Sequence, residues 1–170
     1  MPHSKGDSLD ERIAWHVGKI LTTQDTEGMI PSFITFTNNK VEKKKDVVRQ
    51  SMATMGLMFA QTLIPSLNIQ KQIDASLLYI ENNIESEAPI KQVYARLYLA
   101  LGCAYAHQDT TKALELVRQH CTLPEFLGHP IAVGLYLRLS KFFPKELHHA
   151  AYLQEAQRYN VLLIPRKGRF

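Results

Sequence analysis

The sequence predicts an all-α protein of about seven helices in stacked antiparallel hairpins, forming an α-solenoid or a half-toroid arc. Three observations predict it. Apolar residues recur at steps of three and four through most of the chain, short polar breaks separate these runs, and a tetrapeptide pattern returns about every 40 residues.

The first helix opens at Ser8, because Ser8 followed by Glu11 makes a capping box in which each side chain satisfies an orphaned backbone N–H. Ile13, Val17, Ile20 and Leu21 then share one face. The stretch TTQDTEGMIPSF, Thr22 to Phe33, interrupts the pattern with acids, a glycine and a proline. Gly28 is expected to take a positive φ where the helix ends. SFITF (Ser32 to Phe36) and NVLLIP (Asn160 to Pro165) look extended, but each is too short to found a sheet without a partner. KVEKKKD, Lys40 to Asp46, reads as a solvated loop.

A second helix begins at DVVRQ, with Val48, Met52, Met55, Phe59 and Leu63 as its apolar face. Ile73, Leu77, Ile80 and Ile84 mark a third, and Ile90, Tyr94, Leu97, Leu101 and Ala104 a fourth. Asp109 caps the next. Pro130 stands near the first turn of another, which stops at Pro144, and KELHHAAYLQEAQRY supplies the last.

The repeat consists of GLMF at Gly56 to Phe59, RLYL at Arg96 to Leu99 and GLYL at Gly134 to Leu137, each in the first helix of a helix-turn-helix pair. Each pair would bury its apolar face on the next. Leu97 and Leu135 hold matching positions, so both are expected to be buried. If the tetrapeptides recur by chance, the architecture is an irregular bundle.

At 170 residues the chain suits a single helical-repeat domain, 1–170, which buries roughly two thirds of its unfolded surface. An apolar fraction of 45% and a charged fraction of 21% are those of a globular protein, and no run approaches the roughly 18 to 20 apolar residues that span a bilayer. No membrane contact is expected, and an N-terminus without a signal-peptide core predicts a cytoplasmic location. Cys103 and Cys121 sit in helical patterns without zinc or redox spacing, so buried free thiols are expected.

The formal charge is +4, yet the basic residues are scattered rather than gathered beside stacking aromatics, which argues against a nucleic-acid partner. His148 and His149 diverge by about 100° on a helix and suit no common metal. His16, His107, His120 and His129 are expected at or near helix ends. No HExxH, phosphate loop or nucleophile elbow occurs, and no metal or cofactor is expected.

The helix ending at Gln24, the stretch DTEGMIPSF and the helix beginning DVVRQSMATMGLMFAQTL resemble a hairpin of the (α/α) toroid group. That group includes six-hairpin glycosidases, N-acylglucosamine epimerases and terpenoid cyclases. The resemblance covers the first half of the chain and implies part of a carbohydrate-active or cyclase-like enzyme, with Asp25 and Glu27 as candidate catalytic acids. A full toroid needs about twice this length, so the chain would form only an arc. Glycosidase carboxylates stand about 5 Å apart or more across a sugar, a geometry that neighbouring loop acids rarely meet.

In register, the repeat places Arg49, Arg96, Tyr98, Tyr136 and Arg138 along one face of the arc, and such residues are enriched where proteins grip partners. The expected function is therefore a noncatalytic helical-repeat module that binds or scaffolds a protein partner or a second copy of itself. Leu162 and Leu163 in NVLLIP are the expected interface of a homodimer, since the last unit of a stack needs its apolar face covered.

Overall fold

The computed structural model describes residues 8–37, 40–106, 111, 113–116, 129–143, 147 and 154. Helix α1 (Leu9–Leu21) starts as its capping box dictates: Ser8 Oγ accepts the Glu11 N–H at 3.2 Å and Glu11 Oε2 accepts the Ser8 N–H at 2.6 Å. Helix α2 (Val47–Leu63) is capped by Asp46, whose carboxylate accepts the Arg49 N–H at 3.1 Å. Helix α3 (Gln70–Asn83) follows a short 3-10 turn at Pro65–Leu67, and α4 (Pro89–Tyr105) follows another at Ile84–Ser86. Residues 113–116 are helical. Helix α5 (Pro130–Ser140) carries Pro130 in its first turn, where the missing N–H costs nothing.

Among the described residues the chain is predominantly helical, with one exception. Strand β1 (Phe33–Thr37) pairs antiparallel with β2 (Lys40–Lys44), Phe33 opposite Lys44 and Thr37 opposite Lys40. SFITF is extended as expected and finds its partner in KVEKKKD, which corrects the expectation that KVEKKKD is a loop. A ladder is made by backbone N–H and C=O groups, which lysine and glutamate supply as well as valine does, and charge is common on edge strands.

Helix α4 is the centre of the packing, with Val93, Leu97, Leu101 and Ala104 buried and both α2 and α5 against it. Late α4 meets late α2 at Gly102, where an added Cβ would lie 2.7 Å from Met58 Sδ. Val47, at the start of α2, clusters with Ala95 and Leu99 of α4, with Ile80 in the last turn of α3 and with Ile84 just beyond it. So α2 and α4 run the same way and α3 runs back. The His129 ring, at the cap of α5, lies 6.3 Å from that of Tyr94, and Phe142 beyond its end meets Tyr105, so α5 shares their direction. Leu57, Leu97 and Leu135, matching positions of the repeat, are all buried.

One face was mispredicted. The buried side of α2 is Val47, Gln50, Ser51, Thr54, Leu57, Met58 and Ala60, whereas Met52 is 43% exposed and Leu63 69%. Periodicity selects residues by apolarity, so it carries no signal for the polar Gln50 and Thr54, which are buried with their partners. Cys103 is buried and forms no disulfide among the described residues. Cys121, Asp109, His107, His120, the His148 and His149 pair, and NVLLIP lie outside the described residues.

Candidate functional site

The stretch after α1 is a connector held by hydrogen bonds. Thr22 and Thr23 end the helix by donating their hydroxyls to Lys19 O at 2.8 Å and Ile20 O at 2.7 Å. Asp25 Oδ1 accepts the N–H of Glu27 at 3.1 Å and of Met29 at 2.9 Å, which folds the loop around its carboxylate. Gly28 has the expected positive φ, +90°, but not as a helix cap: α1 ends at Leu21, and a Cβ on Gly28 would lie 2.1 Å from Ala75 O on α3. Only glycine lets the backbone approach so closely.

The connector is then plugged into a buried polar cluster. Gln50, 1% exposed, accepts the Ile30 N–H on Oε1 at 2.6 Å and donates Nε2 to Gly28 O at 2.9 Å and to Ser76 Oγ. Thr54 Oγ1 lies 2.7 Å from Ser76 Oγ and donates to Gln50 O. Gln24 Nε2 adds bonds to Gln72 O at 2.9 Å and Gly28 O at 3.2 Å. Buried amides cost little only when bonded in this way. On the far side of the loop, burial first and then the charges of Asp25, Glu27 and Glu87 push the Tyr79 hydroxyl above its ordinary pKa.

Between α1, the connector and α2 opens a cleft of about 380 Å³. His16 and Lys19, one turn apart on α1, and Arg49 from the first turn of α2 supply its basic groups. Ile20, Ile30, Pro31 and Ala53 give it an apolar lining, with Thr23 and Ser32 also on its wall. Asp46 Oδ2 stands 4.0 Å from Arg49 Nε. Lys19 Nζ lies 5.4 Å over the Trp15 ring, which meets the His16 ring edge-on at 4.9 Å.

A second surface lies at the C-terminal ends of α2, α4 and α5. Phe59, Thr62, Leu63 and Tyr105 line an open groove of about 290 Å³. The Phe59 and Tyr105 rings meet edge-on at 4.7 Å, and Tyr105 and Phe142 at 4.6 Å, so one aromatic from each of three neighbouring segments joins a single run. Leu63, Tyr105 and Phe142 are exposed.

The five arginines and tyrosines expected on one face occupy different environments. Arg49 reaches the basic cleft. Arg96 is 7% exposed and its guanidinium engages the Glu85 carboxylate and Gln92 Oε1. Tyr136 is buried in the main core and Tyr98 packs half-buried against it, while Arg138 is exposed in the last turn of α5. The common face is therefore not assembled, because α4 is packed on two sides and the core takes up positions that a one-sided arc would leave outward. Leu162 and Leu163 lie outside the described residues. His16 sits in the middle of α1 rather than near its end. Periodicity carried no signal for the Phe59, Tyr105 and Phe142 run, whereas the three-residue spacing of His16 and Lys19 does place them on one face.

No family model, curated protein or solved structure matches the chain. Among the described residues no helix is long and apolar enough to cross a membrane, and no group of three or more His, Cys, Asp or Glu side chains could hold a metal ion.

Proposed function

We propose that the chain is a noncatalytic helical-repeat module that holds a protein partner, or a second copy of itself, through the exposed end of α2, α4 and α5. The carrying observation is the aromatic run of Phe59, Tyr105 and Phe142 beside the exposed Leu63. Contiguous apolar surface of this kind marks interaction sites, and aromatic residues are enriched in them. Three helices running one way, with α3 returning, and buried leucines at matching repeat positions support a stack of helical hairpins. Against the toroid-enzyme alternative, the Asp25 carboxylate is engaged by two amides of its own loop.

Affinity capture from the source cells, with wild type and Leu63→Asp as baits and a differently tagged copy of the chain co-expressed, tests this. The proposal expects a protein, or the second copy, to be retained by wild type and lost by Leu63→Asp at unchanged circular dichroism. Identical recoveries by the two baits, or none by either, would reject it.

A further inference from the structure

We propose that the cleft between α1 and α2 binds a small phosphate monoester, the phosphate held by Lys19, Arg49 and His16 and the organic body resting on Ile20, Ile30 and Ala53. Its volume of about 380 Å³ lies in the range of small-molecule sites, and its lining has their composition, apolar side chains together with a few polar groups. The polar groups here are basic. Lys19 and Arg49 carry formal positive charges that attract the dianion of a monoester, and the His16 ring adds an N–H. A planar guanidinium and an ammonium from different helices suit a tetrahedral group whose oxygens point in several directions.

Asp46 is the acid placed against Arg49, and its charge offsets part of the guanidinium's without occupying its hydrogen-bond donors. It stands 4.0 Å from Arg49 Nε, too far for a good hydrogen bond, while its Oδ1 accepts the Arg49 backbone N–H as the cap of α2. The Arg49 side chain is 60% exposed, so it is open to a ligand from solvent. The cleft is also rigidly founded. Ile30 is fixed by Gln50 from beneath, and Val17 anchors α1 in the core. This site stands apart from the end face: Arg49 precedes Phe59 by ten residues, about 15 Å along α2.

The protein contains its own reporter, because Trp15 is the single tryptophan and contacts both His16 and Lys19. The full chain is titrated with phenyl phosphate, with benzoate as the carboxylate comparison and inorganic phosphate as competitor, following Trp15 fluorescence and, for the variants, heat by calorimetry. The proposal expects a saturable response to phenyl phosphate, reversed by inorganic phosphate. Affinity should fall about tenfold or more in Lys19→Met and in Arg49→Met, which keep the side-chain length and remove the charge, and stay unchanged in Lys91→Met. Circular dichroism establishes that each variant folds. No saturation by phenyl phosphate, benzoate binding as tightly, or Lys19→Met and Arg49→Met binding like wild type would each overturn it.

Discussion

Gln50→Leu probes the contact on which the N-terminal third of the chain depends. Leucine nearly matches glutamine in volume, so the change removes hydrogen bonds without leaving a large cavity. Two of the groups that Gln50 bonds keep other partners: Gly28 O retains Gln24 Nε2 and Ser76 Oγ retains Thr54 Oγ1. The Ile30 N–H instead loses its acceptor within the core. Orphaning one buried N–H costs about 1–3 kcal/mol and each of the two weakened bonds about 0.5–1 kcal/mol, for a total on the order of 2–5 kcal/mol. For a chain of this length that corresponds to a drop in Tm of roughly 4–20 °C. Urea unfolding followed by circular dichroism measures the free energy, and amide hydrogen exchange at Ile30 reports the local effect. A loss under about 0.5 kcal/mol, with Ile30 exchange unchanged, would show that the glutamine clamp does not hold the connector.

Two further changes test the same region. Gly28→Ala should cost about 3–5 kcal/mol, because its φ is positive and its Cβ would meet a backbone oxygen at 2.1 Å, forcing the loop off α3; an unfolding midpoint near that of wild type refutes the close approach. Tyr79, whose pKa is raised in the fold, contributes stability that is fully present below the unfolded phenol's pKa of about 10 and is lost as pH rises through the higher folded value. Urea midpoints should therefore fall more steeply between about pH 9 and 11 in wild type than in Tyr79→Phe, and parallel slopes would reject the shift.

The parts of the fold that follow from local chemistry were legible in the sequence. Ser8 and Glu11, Asp46 ahead of α2 and Pro130 in the first turn of α5 each act through neighbours a few residues away. What escaped depends on distant partners. Lys40 to Lys44 read as a loop because charge says nothing about whether a backbone ladder has a mate. Gln50, Thr54 and Ser76 carry no apolar signal, and the bonds that hold them inside reach 20 to 26 residues along the chain. The basic cleft was visible only in part: Arg49 stood out as a binding residue, but the approach of α1 that brings His16 and Lys19 beside it depends on the fold of the connector.

The buried cluster and the cleft are two sides of one turn of α2. Gln50 points inward to the connector and Arg49, its neighbour in sequence, lies in the open cleft, while Ile30 is held by Gln50 through its N–H and lines the cleft with its side chain. An apolar residue at position 50 could fill the same volume, but it would accept any nearby path of the connector. An amide whose acceptor meets Ile30 N–H and whose donor meets Gly28 O fixes the loop at two points two residues apart. That specificity is the use of a polar core group, even where its net stabilisation is modest. Because Thr22 and Thr23 tie the other end of the connector to α1, a displacement of Ile30 would carry to the α1 wall of the cleft and to its basic groups. The polar core thus acts on the cleft by position, setting where α1 sits against α2, rather than through any charge of its own.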